Sequence, residues 1–283
     1  AKLHEVEPGV ANPPLTLLER STHDAVVYST GPQGSVATPS VAPISEEETI
    51  LSLLGGPFTT NRDIGDFQQG LASWKIYQSL RTDGEAPIRA PRVTRAEKLV
   101  DSDGQNLISV LHTLYTTSRD FKDEINTAMR AAFGEDFDEI VFPPAADQRI
   151  QLRIRWRSLK REQSAADLSD GILRFLFLLA ILANPEPPRL IAIDEPESGL
   201  HPSMMQIVAE YAREASKTTQ VILTTHSPEL LDAFGESVPT TTVVERHEGE
   251  TLLRTIAGEE LSYWLEKYSL GELYRSSELE ALR

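Results

Sequence analysis

Two adjacent carboxylates, Asp194 and Glu195, end the apolar run Leu190-Ile191-Ala192-Ile193 and are followed by Pro196-Glu197-Ser198-Gly199-Leu200-His201-Pro202. Four apolar residues in a row predict a buried strand. Open parallel sheets bind their ligands at the C-terminal ends of strands. Neighbouring side chains on a strand point to opposite faces. At the strand end, however, the chain turns, so both carboxylates can reach one site. One of them can hold a magnesium ion, usually through water. The other can polarise an attacking water.

A second strand-like run, Val221-Ile222-Leu223-Thr224-Thr225, ends in His226-Ser227-Pro228. A histidine here can donate a hydrogen bond to a terminal phosphate and sense its loss. One helical stretch separates the two runs, and parallel strands joined by a helix can be neighbours, so His226 can face the same crevice. A third signal, Ser169-Asp170-Gly171, opens the apolar stretch Ile172–Ala183. Ser169 is a natural helix cap, Gly171 allows close backbone approach, and a helix N-terminus attracts phosphate.

These signals need a framework to hold them. Alternating patterns predict helix 171–183, strand 189–193, helix 203–216, strand 220–225 and helix 228–234. The strands are continuously apolar, which predicts a parallel sheet covered on both faces. Upstream, Leu107, Val110, Leu111 and Leu114 recur at helical spacing, as do Phe121, Ile125, Ala128, Met129 and Ala132 before a stop at Gly134. Glu139–Phe142 and Ile150–Ser158 read as strands. Residues 67–80 read as helical or mixed, with Leu71, Trp74, Ile76 and Tyr77 expected in the core. Ala25–Tyr28 reads as a strand, Gly31–Gly34 and Pro39–Pro43 as loop, and Ser45–Glu48 as the acidic first turn of a helix.

The 283 residues carry a net charge of −16, contain no cysteine and are 40% hydrophobic. That composition supports a packed core and fits a reducing, cytoplasmic setting. The longest nearly unbroken apolar run, Ile172–Ala183, is interrupted by Arg174. It is shorter than the roughly 17–25 residues of a membrane span, so no membrane partner is expected.

In this order, the three signals resemble the ABC-type ATPase head, and most closely the AAA-family predicted ATPases related to RecF and SMC chromosome-maintenance proteins. Further family-like stretches are Trp74–Tyr77, Asp103–Leu107 and the tail Tyr268–Arg275. The resemblance spans residues 65–283 and is most specific over 168–234. It implies an α/β P-loop NTPase fold: a parallel sheet with flanking helices, a helical insertion and a remnant of a β-rich N-terminal lobe. The implied divisions are 1–60 for the remnant, 61–137 for the helical subdomain and 138–283 for the C-terminal ATPase lobe.

The resemblance also assigns roles. Ser169, Asp170 and Gly171 are the signature motif, which contacts ATP held by a second head. Asp194 and Glu195 are the Walker B pair, Asp194 positioning Mg2+ and Glu195 activating water. Ser198, Gly199 and His201 belong to the D-loop, and His226 is the switch histidine. The implied function is an ATP-hydrolysing head that dimerises around ATP, coupled to DNA repair or phage defence. Two features depart from the family. The signature reads Ser-Asp-Gly rather than Ser-Gly-Gly. The phosphate-binding loop Gly-x-x-x-x-Gly-Lys-Ser/Thr occurs nowhere in the 283 residues, and Gly31-Pro32-Gln33-Gly34 has no lysine after it. That lobe is then absent from this chain, supplied by another, or lost. The alternative function is a nucleotide-independent binding or regulatory module.

One stretch falls outside these motifs. Arg153, Arg155 and Arg157 alternate with Leu152, Ile154 and Trp156, within a segment, 149–162, of six positive charges and one negative. Period two places the guanidiniums on one strand face, a candidate track for DNA or RNA phosphates. The other reading is a solvated face whose arginines pair with nearby acids.

Overall fold

The computed structural model describes residues 2–5, 15–20, 24–27, 40–43, 49, 51, 62–235, 237–256 and 263–278. The chain divides into two compact units, Ala1–Trp74 and Lys75–Arg283. In the first, β1 (Lys2–Glu5), β2 (Leu15–Arg20), β3 (Asp24–Val27) and β4 (Ser40–Pro43) form an antiparallel meander in sequence order. Residues 40–43, read above as loop, are thus a strand. Among the described residues they pair with β3 alone, and an edge strand tolerates a proline that a central one would not. Helix α1 (Arg62–Ala72) completes the described part of this unit. The stretches Gly31–Gly34 and Ser45–Glu48 lie outside the described residues.

The second unit is built on a parallel sheet of three strands: β5 (Lys75–Tyr77), β12 (Leu190–Asp194) and β13 (Gln220–Thr224), with β12 central. Around it, in chain order, lie β6 (Arg92–Val93), α2 (Leu107–Thr117), α3 (Arg119–Phe133), β7 (Phe137–Val141), β8 (Pro144–Ala145), β9 (Arg149–Ile150), β10 (Arg153–Trp156) and β11 (Gln163–Ser164). Then come α4 (Asp170–Leu182), α5 (Pro202–Ala215), α6 (Pro228–Ala233), the hairpin β14 (Thr241–His247) and β15 (Glu250–Ile256), and α7 (Leu270–Arg275). Among the described residues no helix is long and apolar enough to cross a membrane.

The helices form where spacing predicts. Leu107, Val110, Leu111 and Leu114 are all buried, as are Phe121, Ile125, Ala128 and Met129. Gly134 follows the last residue of α3. One core holds these residues together with Tyr77, Ile191 and Ile193 of the sheet and Leu173 and Phe175–Leu182 of α4. The helical pair therefore shares one core with the parallel sheet and α4.

Two expectations are corrected here. The run 150–158 is not one strand. Gln151 N–H donates to Pro143 O and Leu152 O accepts from Ala165 N–H. The chain thus changes partners, from β6 and β8 to β7 and β11. Nor is the parallel sheet covered on both faces among the described residues. Register places Ile76, Ala192 and Ile222 side by side. Ile76 is 56% exposed and Ile222 43% exposed. Trp74, expected in the core, is 47% exposed as well. An apolar residue in a strand is buried only where a second layer covers its face, and strand sequence cannot report that.

The opposite face is tightly packed. Gly104 has φ +69°, and a Cβ there would strike Leu80 and approach Phe177 to within 2.8 Å. Phe177 in turn meets Tyr77 edge-on, with ring centroids 5.6 Å apart. Gly104→Ala combines overpacking with a disfavoured backbone, and chemical denaturation should show a loss of about 3 kcal/mol. A loss under about 0.5 kcal/mol would mean that Leu80 and Phe177 yield freely.

Candidate functional site

Parallel pairing aligns strand ends. Residue Asp194 lies directly opposite Thr224, and Ile193 opposite Tyr77. The residues just past β5 and β12 therefore emerge together. A cleft of about 500 Å³ opens there, lined by Gln78 and Ser79 after β5, by Asp194 at the end of β12 with Glu195 and Ser198 after it, and by Arg174, Phe177 and Leu178 of α4. Two features were missed by sequence reasoning. Gln78 and Ser79 carried the same signal as the carboxylates, polar residues closing a strand. Arg174 was visible only as an interruption of an apolar run.

The two carboxylates are held differently. Asp194 accepts a hydrogen bond from the Thr224 hydroxyl. Glu195 has φ +46°, in the left-handed region that non-glycine residues rarely adopt. Its N–H donates to Thr224 O at 3.0 Å, its carbonyl accepts from Ser198 N–H at 3.0 Å, and its carboxylate accepts from the Ser198 hydroxyl at 3.2 Å. The turn is closed on three sides, so the backbone is kept in a conformation it would otherwise leave, a common feature of functional sites.

Next to them, Glu197 reaches across to the histidine strand. It accepts from the Thr225 hydroxyl and, at 3.2 Å, from His226 N–H. Its second carboxylate oxygen is buried without a hydrogen-bond partner among the described residues. The His226 side chain is exposed and does not line the cleft. Its ring Nδ1 lies 3.4 Å from the Tyr274 hydroxyl.

The Ser-Asp-Gly segment meets the loop after Glu195 from the other side. Ser169 caps α4, its side chain accepting from Ile172 N–H at 3.3 Å. A Cβ on Gly171 would come within 3.0 Å of Gly199 O, so the close approach that this glycine permits is to the neighbouring loop. Arg174 donates to Ser198 O at 2.9 Å, and its Nε is buried without a partner among the described residues. Asp170 is ion-paired with Arg89, whose guanidinium also donates to Thr82 O, Ala165 O, Ala166 O and Leu168 O. The charge of Asp170 is thereby matched locally. Neither Ser169, Asp170 nor Gly171 lines the cleft. Residue His201 serves as the cap of α5, its Nδ1 accepting from Ser203 N–H at 3.3 Å.

The donor set of the cleft suits a magnesium nucleotide. Magnesium prefers oxygen ligands and keeps several waters, with one or two carboxylates and substrate phosphates completing its shell. Asp194 and Glu195 supply carboxylates, and among the described residues no group of three His, Cys, Asp or Glu side chains forms a closed metal cage. The unpartnered N–H of Arg174 adds an unused donor on a cleft-lining side chain, of a kind suited to an oxyanion.

The arginine stripe takes the predicted alternation, with Leu152, Ile154 and Trp156 buried and Arg155 and Arg157 exposed. Arg155 is bridged to Glu139 and Glu162, Arg157 to Glu135, and Arg153 donates to Gln151. The acids next to this face neutralise much of its charge.

The sequence matches the family described as "AAA domain, putative AbiEii toxin, Type IV TA system" over residues 84–232, more than half of the chain. No curated protein matches it. Similar solved structures include an SMC head bound to the C-winged helix domain of ScpA, 13% identical, with a TM-score of 0.49 over 85% of this chain and 70% of that one. The SMC head domain from Thermotoga maritima is 15% identical, with a TM-score of 0.37 over 83% of this chain and 70% of that one. A third structure comes from work on ATP-driven dimerization and DNA-stimulated activation of SMC ATPases. It is 14% identical, with a TM-score of 0.41 over 55% of this chain and 95% of that one.

The strained turn gives a direct test. A left-handed backbone costs an L-residue roughly 1–2 kcal/mol and glycine almost nothing. Glu195→Gly should therefore be more stable to denaturant than Glu195→Ala by about 1 kcal/mol. Equal stability, or the reverse order, would remove the strain from Glu195.

Proposed function

This chain belongs to that AAA-domain family, and from that premise we propose that it is the catalytic half of an ATP-hydrolysing head. The observation that carries this reading is the convergence of Gln78, Asp194, Glu195, Ser198 and Arg174 on one cleft at the ends of parallel strands. In it, Glu195 is the base that orients and deprotonates the attacking water. Asp194 and the Thr224 hydroxyl bonded to it would hold Mg2+, which neutralises phosphate charge when bound. Gln78 and Ser79 face the same water and phosphate oxygens. His226 donates to the terminal phosphate. Ser169 and Gly171, outside the cleft, are available to the nucleotide of a second head, so that ATP draws two heads together.

No phosphate-binding loop of the Gly-x-x-x-x-Gly-Lys-Ser/Thr type lies within the 283 residues. We infer that this element comes from outside them. The open sheet face at Ile76 and Ile222 is consistent with a further layer there. The output of the ATP cycle is proposed to be a nucleic-acid transaction of the kind met in DNA repair or phage defence. The missing loop equally favours a second reading, a binding or regulatory module that works without nucleotide. Turnover decides between them.

The chain alone should release no phosphate from ATP above background. Joined to a lobe carrying the phosphate-binding loop, in cis or as a second chain, it should hydrolyse ATP. Glu195→Gln should then bind ATP, accumulate as a dimer on size-exclusion chromatography, and turn over at least about 100-fold more slowly, the low end of what a positioned base contributes. Unchanged turnover in Glu195→Gln would remove that residue from the role of base. A completed head with no turnover at all would favour the nucleotide-independent module.

A further inference from the structure

The tail stretch Tyr268–Arg275 has no part in the chemistry above, yet it is fastened to the helix that begins two residues after His226. Helix α7 opens with a reciprocal cap: Ser269 accepts from Glu272 N–H, and the Glu272 carboxylate accepts from Ser269 N–H. Its Gly271 lies so close to α6 that a Cβ would strike Pro228 O and the Asp232 carboxylate. Gly271 N–H donates to Asp232 at 2.8 Å, and Arg275 bridges Asp232 at 3.2 Å and Glu229 at 3.1 Å. Leu270 and Leu273 are buried in a small core with Ile256, against which Tyr274 also packs. Backbone contact, ion pairs and apolar packing thus fix where the Tyr274 side chain stands, and its hydroxyl stands 3.4 Å from His226 Nδ1.

We propose that Tyr274 is a positioning residue for His226: its hydroxyl donates to Nδ1 and holds the imidazole with its proton on Nε2. The two ring nitrogens are distinct, and the hydrogen bond made by one decides which atom carries the proton. A histidine that donates to a phosphate oxygen through Nε2 needs Nδ1 to be an acceptor, and a phenol O–H supplies that donor without charge. The inference rests on the nucleotide reading for the use made of Nε2–H, though the tautomer itself is independent of it. Hydrogen bonds at catalytic groups are commonly long without substrate and shorten in the complex, which accommodates the present separation. The tail sequence is thereby tied to the site: α7 need not touch nucleotide to set the state of the residue that does.

The test is imidazole nitrogen and carbon NMR on the ligand-free 283-residue chain, at a pH where histidine is neutral. His226 is assigned among the six histidines by its loss in His226→Gln. The Nε2–H form should dominate in the parent. Tyr274→Phe keeps the ring packing and removes the donor, so the ratio of Nε2–H to Nδ1–H should fall by about 2- to 10-fold, the worth of one ordinary hydrogen bond. Arg275→Gln, which loosens α7 from outside, should lower the ratio in the same direction and serves if Tyr274→Phe does not fold. A dominant Nδ1–H form in the parent, or a ratio unmoved by either variant, would overturn the proposal. Since no nucleotide is present, either result leaves the ATPase reading to its own test.

Discussion

The parallel ladder between β12 and its two neighbours is the constraint on which the chemistry depends. Hydrogen bonds between parallel strands are evenly spaced, so once Ile191 is set opposite Val221 and Lys75, every later residue is in step. Apolar strands bury their inner face in a core shared with α4 and thereby cannot slip, because a one-residue shift would move Ile191 and Ile193 out of that core. Polar residues placed just beyond the last rung then have one place to go. The cleft follows from register, and Asp194 meets Thr224 because four rungs of ladder lead up to them.

What register alone does not supply is the turn. Glu195 leaves the strand with a positive φ and is kept there by Thr224, Ser198 and its own chain direction. The loop beyond it is gripped from two sides: Arg174 holds Ser198, and Gly171 lets α4 come up against Gly199. The start of α4 and the loop after Glu195 are consequently in contact within one chain. A ligand that pulls on Ser169 or Gly171 acts on the loop carrying Glu195 through packed atoms, a physical basis for coupling a partner's approach to this site. On the far side, Glu197 links the same loop to Thr225 and His226.

Much of this was legible from the sequence because the relevant signals are local. The apolar runs before Asp194 and Thr225, the cap Ser169, and the helical spacing over 107–133 all depend on near neighbours, and each element lies within two or three residues of its expected place. Long-range facts were not legible. Trp74 and Ile76 look like core in isolation and are exposed, since burial depends on a layer that other residues must provide. The hairpin β14–β15 went unread, although its two strands pair residue for residue from Thr241 to His247. Arg89, which matches the charge of Asp170 and gathers four carbonyls, is 81 residues away in sequence and carries no motif of its own. The acids that cover Arg155 and Arg157 come from other strands and loops, so a basic stripe in sequence became a paired face in space.

The central claim is that the strand-end cleft holds a metal–nucleotide complex, and amide NMR with Mn2+–ATP addresses it most directly. Paramagnetic broadening in the chain joined to a lobe carrying the phosphate-binding loop should centre on Gln78, Asp194, Glu195 and Thr224 and should be lost in Asp194→Asn. Broadening centred elsewhere, or broadening of these residues that survives Asp194→Asn, would contradict the account.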